Sequence, residues 1–208
     1  MSQPSLLRLH RFPLSGHSHR AELMLSLLGL RAELVTVDLA KGEQKQPSFL
    51  SKNCFGQVPV LEDGELTLSD SNAILIYLSE RYDSAQRYWP AQPARRAQVQ
   101  RWLSVAAGQL AAGPAAARLV RVFNAPLDHA LALRKAHELF ALLEAELSAR
   151  SFLVGESATL ADIALYTYAA HAPEGDVSLD AYPAIRSWLA RIEALPGFIP
   201  MQKTPAKS

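Results

Sequence analysis

Cysteine is almost absent from this chain: Cys54 is the only one in 208 residues. An intrachain disulfide framework is thereby excluded, as is a Cys-x-x-Cys redox pair, and a reducing, cytoplasmic setting is expected. Long apolar runs are missing too. None approaches the ~20 residues that span a bilayer, and the opening Met1-Ser2-Gln3-Pro4-Ser5 has no basic segment leading into an apolar core. Neither sign of charge is in excess, since 21 Lys and Arg against 20 Asp and Glu leave a net charge of +1. With acids and bases interspersed, nothing in that balance points to the basic stripe of a nucleic-acid binder or to a polybasic membrane patch. No His, Cys and carboxylate cluster has metal-ligand spacing, so no metal is expected. Internal repeats are absent. What remains is a chain with 49% hydrophobic residues, enough for one large or two small packed domains.

Residues 6–82 mix two periodicities. Leu6-Leu7-Arg8-Leu9-His10 reads as a strand, which Pro13 and Gly16 break. Ala21, Leu23, Met24, Leu27 and Leu28 then recur at helical spacing, with Gly29 as the stop. A second strand over 33–37 completes a βαβ unit, which predicts parallel strands and a right-handed crossover. Val58-Pro59-Val60-Leu61 and Leu66-Thr67-Leu68 flank the acidic turn Glu62-Asp63-Gly64-Glu65, the pattern of an antiparallel hairpin. Ile74, Leu75, Leu78 and Tyr82 predict a helix beginning near Ser71. The composition changes near Asp83. Residues 84–92 are polar with Pro90 and read as a linker between a domain over 1–83 and one over 93–208.

The second domain is Ala- and Leu-rich, with helical patterns over 93–112, 127–149, 159–171 and 182–195 and a less regular stretch over 113–126. The fold class is therefore α/β plus all-α. The Ala-rich run 106–117 predicts close helix packing. Thr159 and Asp162 have capping-box spacing and are assigned to folding. The polar tail after Pro200 is expected to be mobile.

The chemistry concentrates between Gln44 and Ser71. A proline entering a strand marks an edge or a bend, and an X-Pro bond is the common place for a cis peptide. A cis Pro59 turns the Val58 backbone outward, where its N–H and C=O can pair with an extended peptide. Ser71, at a helix N-terminus, favours a carboxylate, and Asp70 suits an α-ammonium. Each feature alone has an ordinary structural reading, as a strand-entry proline or an Asp-Ser helix cap. Their joint order points to a site for an α-amino acid head group on a peptide.

With Gln44-Lys45-Gln46-Pro47, Phe49-Leu50, Asn53 and Phe55-Gly56-Gln57, this segment resembles the glutathione-binding half of glutathione S-transferases, most closely phi-type and related bacterial members. Residues 6–82 resemble their thioredoxin-like βαβ-α-ββα domain, and 93–200 their all-helical domain. The resemblance implies glutathione as co-substrate, with Lys45 on its glycine carboxylate and Gln57 assisting. It implies Val58, set by Pro59, on the cysteinyl unit, and Asp70 and Ser71 on the γ-glutamyl end. In phi-like members a serine lies five residues before an arginine of the first helix. Ser15 stands in that relation to Arg20, so its hydroxyl is implied to hydrogen-bond the glutathione sulfur and lower the thiol pKa, without acting as a covalent nucleophile.

No tyrosine precedes Tyr77, and the loop before the first helix has no cysteine. Cys54 reads as a small buried residue. Ser18 reads as a cap or first-turn residue. His17 is either an exposed loop histidine or a liner of the site. The second substrate is expected to be a small apolar electrophile, with Phe12, Leu14, His17, Gln109, Gly113 and Phe123 as candidate pocket residues. The implied protein is a cytoplasmic homodimer active in detoxification, with no nucleic-acid or membrane partner. Two alternatives stay open: a glutathione-dependent isomerase, dehalogenase or peroxidase, and a non-catalytic binding protein on the same fold. Gln44 in place of histidine and Asp70 in place of glutamate imply looser glutathione binding.

Overall fold

Four strands form one sheet in the order β2-β1-β3-β4. The computed structural model describes residues 7–204; Leu6, assigned by its pattern to the first strand, lies outside them. Strand β1 (Leu7–Arg11) leads through a short loop into helix α1 (Gly16–Leu27), and β2 (Ala32–Thr36) returns parallel to β1. A 3-10 turn (Glu43–Lys45) and the short helix α2 (Pro47–Leu50) precede the hairpin of β3 (Val60–Asp63) and β4 (Leu66–Ser69). β3 runs antiparallel to both β1 and β4. Helix α3 (Ser71–Tyr82) follows and packs against α1.

The βαβ–α–ββα order implied by the resemblance is the observed one, and the strands and longer helices read from periodicity fall within it. Gly64 turns the hairpin at φ 59°, and Asp63 beside it accepts hydrogen bonds from Tyr77 (2.7 Å) and Tyr82, which tie the turn to α3. Leu9, Leu23, Met24, Val60, Leu61, Ile74, Leu75 and Leu78 are fully buried. Each such side chain contributes about 1.5–3 kcal/mol by leaving water.

The chain divides into two units. The first comprises residues 1–84 together with Pro196–Gln202. In that returning segment His19 Nε2 bonds the Ile199 carbonyl (2.9 Å), Ser26 Oγ donates to the Gly197 carbonyl (2.6 Å), and Met201 is buried. The mobility expected beyond Pro200 does not hold at Met201.

The second unit is helical: α4 (Pro93–Val105), a π-helical stretch (Ala106–Ala115), α5 (Ala116–Phe123), α6 (His129–Ser148), α7 (Leu160–Ala170) and α8 (Pro183–Glu193). Helix continues through 113–123, where an irregular stretch was expected. Proline has no N–H and clashes in an ordinary α-turn; Pro114 sits in the wider π register instead. The close packing expected of the Ala-rich run is present. A Cβ on Gly113 would lie 2.8 Å from the Ala136 backbone nitrogen of α6. Gly113→Ala is therefore expected to cost about 2 kcal/mol by overpacking, lowering Tm by about 4–8 °C. An unchanged melting curve by circular dichroism would show that the helices part freely.

Asp162 is fully buried, and its side chain closes the capping box with Thr159. No helix among the described residues is long and apolar enough to cross a membrane.

Candidate active site

The N-termini of α1 and α3 come together at one end of the sheet. Ser15 caps α1, its Oγ accepting the Ser18 N–H at 3.2 Å while its own N–H donates to the Phe12 carbonyl (3.0 Å). Ser18 lies buried in the first turn, and its Oγ accepts the Phe12 N–H (3.2 Å). A hydroxyl has one donor and two acceptor positions. The cap uses one acceptor position of Ser15, so its hydrogen remains available. Phe12 and Leu14 precede Ser15 in the same turn, both half-buried.

Across from this turn, Asp70 caps α3 with Oδ1 accepting the Ala73 N–H (2.9 Å). Its backbone has φ 72°, an uncommon conformation for a residue with a Cβ. The carboxylate is exposed. Ser71, the first residue of α3, is buried, and its Oγ meets His17 Nδ1 and Arg20 Nη1, each at 3.2 Å. Arg20 is itself 1% exposed and also donates to Asn72 Oδ1 (3.0 Å). His17 is half-buried in the first turn of α1. Removal from water, reinforced by the Arg20 guanidinium, pushes its imidazole down to about 3, so the ring is neutral at neutral pH.

That His17 and Arg20 converge on Ser71 is absent from the sequence reading. One signal was available: the two stand three apart, hence on one helix face.

The segment before β3 carries the next group. The Val58–Pro59 peptide is cis, as expected. Neither the Val58 N–H nor its C=O is hydrogen-bonded among the described residues. In the ladder Val60 faces His10 on one side and Ser69 on the other. That register sets Val58, two residues earlier, at the end of the sheet where Phe12 and Ser71 lie. The exposed Gln57 has its carbonyl held by Asn53 Nδ2 (2.7 Å). Lys45 is exposed, and its Nζ donates to the Phe55 carbonyl (3.3 Å). Gly56 between them has φ 59°, and a Cβ there would lie 2.8 Å from both the Gln44 carbonyl oxygen and Lys45 Nζ. Lys45 and Gln57 are thus neighbours.

Cys54 corrects the expectation of a buried thiol: it is exposed, on the loop next to Phe55, whose ring is 72% exposed. The remaining candidates sit in the helical unit. Gln109 faces a groove between α4 and α6 with Trp102, Leu139 and Leu142. Gly113 is buried at the close approach to α6 described above. Phe123 ends α5 with the Arg118 guanidinium over its ring.

The chain matches two family profiles, "Glutathione S-transferase, N-terminal domain" over residues 6–80 and "Glutathione S-transferase, C-terminal domain" over 76–196. It is 33% identical to glutathione S-transferase 3 of Zea mays, over 97% of this chain and 98% of that one. Among solved structures it resembles a glutathione S-transferase from Pseudomonas fluorescens, with a TM-score of 0.90, 32% identity, and 96% and 100% of the two chains covered. A glutathione transferase homologue from Drosophila mojavensis, solved with bound glutathione, gives a TM-score of 0.82 at 26% identity, over 92% and 89% of the chains.

Proposed function

The chain belongs to the glutathione S-transferase family, whose enzymes use glutathione as a substrate, and from that premise we propose that it is a serine-type member that activates the glutathione thiol for attack on an apolar electrophile. The observation that carries this reading is the Ser15 hydroxyl, which caps α1 through an acceptor position and keeps its hydrogen available. A sulfur lying there receives an O–H donor beside a helix N-terminus, and both favour thiolate over thiol. A free cysteine thiol, at pKa ~8.5, is only a few per cent ionised near pH 7. The buried Arg20, five residues on, adds positive charge on the same helix.

The rest of the peptide has a partner at each polar group. The γ-glutamyl carboxylate meets the N-terminus of α3 at Ser71, and its ammonium meets the exposed Asp70. The unbonded N–H and C=O of Val58 pair with the cysteinyl backbone, as an added strand does. Lys45, beside Gln57, meets the glycine carboxylate. In the reaction the thiol proton passes to solvent. The sulfur lone pair then forms a bond to an electrophilic carbon, and a leaving group such as halide departs with the electrons of the broken bond. Phe12 and Leu14, in the turn that leads to Ser15, offer that electrophile apolar contact.

Calorimetric titration with glutathione tests the reading. The wild type is expected to bind in the micromolar to millimolar range. Ser71→Ala is expected to bind about threefold to tenfold more weakly, since the hydroxyl bonds both His17 and Arg20 and so holds the α3 N-terminus that meets the carboxylate. No saturable heat at several millimolar would leave a fold without its ligand. An activated aryl chloride then separates the reactions, because conjugation consumes glutathione and isomerisation returns it.

A further inference from the structure

We propose that His17 is a positioning residue for the γ-glutamyl end of glutathione, acting through Ser71. The inference rests on the glutathione reading above and concerns a residue two positions from the one assigned to the sulfur. Arg20 can only donate, so Ser71 Oγ accepts from Arg20 Nη1 at 3.2 Å. The single hydrogen of Ser71 then needs an acceptor, and His17 Nδ1 stands 3.2 Å away. The order is therefore Arg20 N–H to Ser71 oxygen, and Ser71 O–H to His17 Nδ1, with the imidazole proton on Nε2.

A neutral ring is the form able to accept at Nδ1. Burial and the neighbouring guanidinium both hold His17 neutral, far below its ordinary pKa of 6.5. Two partners, one donating and one accepting, fix the Ser71 rotor, which a lone hydroxyl would otherwise leave to rotate. They also tie the turn that carries Ser15 to the turn that carries Ser71. The spacing between the sulfur end and the amino-acid end of the ligand is thereby set before the ligand arrives, which lowers the cost of ordering the site on binding.

The test combines steady-state kinetics on His17→Ala, His17→Asn, Ser71→Ala and the His17→Ala/Ser71→Ala pair with nitrogen NMR of the ligand-free wild type. His17→Ala is expected to raise the KM for glutathione about threefold to tenfold, the range of one net hydrogen bond, with kcat nearly unchanged. His17→Asn, whose amide oxygen can accept, is expected to restore most of it. In the Ser71→Ala background His17→Ala is expected to add nothing. NMR is expected to show His17 neutral with Nδ1 unprotonated between about pH 5 and pH 8.

Additive effects of the two substitutions, or a lowered kcat and altered pH profile with KM unchanged, would overturn the proposal in favour of direct contact with the sulfur. A protonated Nδ1 would overturn the relay itself. If the ring state is as described but the wild type takes up no glutathione, the functional reading fails and the positioning role falls with it, while the relay stands.

Discussion

Ser15→Ala is expected to slow conjugation at neutral pH by about tenfold to a hundredfold, and to do so less and less as the pH rises. One pKa unit on the bound thiol corresponds to about 1.4 kcal/mol and a tenfold change in the ionised fraction. A hydroxyl donor together with a helix N-terminus supplies about one to two such units. Above about pH 9 the thiol ionises by itself, so the gap to wild type should close there. Ser15 also caps α1. Its loss leaves the Ser18 N–H without its acceptor and costs about 1 kcal/mol, or about 2–4 °C in Tm for a chain of this size. The two effects separate cleanly. Ser15→Thr keeps both cap and donor, whereas a variant with cap stability restored elsewhere would still lack the rate. Undiminished turnover by Ser15→Ala across the pH range would remove this residue from the chemistry.

Asp162→Ala is expected to be the most damaging single change in the molecule. The carboxylate is fully buried at the start of α7, and four donors meet it: the Leu153 N–H and Trp188 Nε1–H at 2.9 Å on Oδ1, and the Thr159 N–H (2.8 Å) and hydroxyl (3.1 Å) on Oδ2. Burial pushes its pKa up, against the pull of those donors. Alanine leaves buried N–H groups with no acceptor, at about 1–3 kcal/mol each. The sum is comparable to the ~5–15 kcal/mol that keeps a domain folded. Little soluble protein is expected at 37 °C. Asp162→Asn should also fail badly, because its amide turns a donor toward backbone donors. Expression level and urea titration report the outcome. A wild-type midpoint for Asp162→Ala would mean that water replaces the carboxylate there.

Where local rules decide the outcome, the sequence is readable. Thr159 and Asp162 declare themselves by a three-residue spacing, the hairpin by its acidic Gly64 turn, and α1 and α3 by apolar periodicity. The positions of Val58, Pro59, Asp70 and Ser71 at one end of the sheet follow from that same order. The misses come from context beyond the local window. Cys54 is expected inside on composition, yet it lies on a loop shaped by Asn53 and Gly56 and is exposed. The stretch 113–126 reads as less regular, yet helix runs to Phe123 and a change of helical register absorbs Pro114. The convergence of His17 and Arg20 on Ser71 spans more than fifty residues, and no periodicity reports it.

The return of Pro196–Gln202 to the first unit has a consequence for synthesis. A little over a hundred residues separate that segment from Ser84. A ribosome adding about 5–20 residues per second makes them in roughly five to twenty seconds. Throughout that interval His19 and Ser26 on α1 lack the Ile199 and Gly197 carbonyls that they bond in the finished chain. The nascent first unit therefore waits, incompletely covered, for the segment Pro196–Gln202. A stop codon placed just before Pro196 would spare every residue of the proposed glutathione site and still deprive the unit that carries it of its final strap.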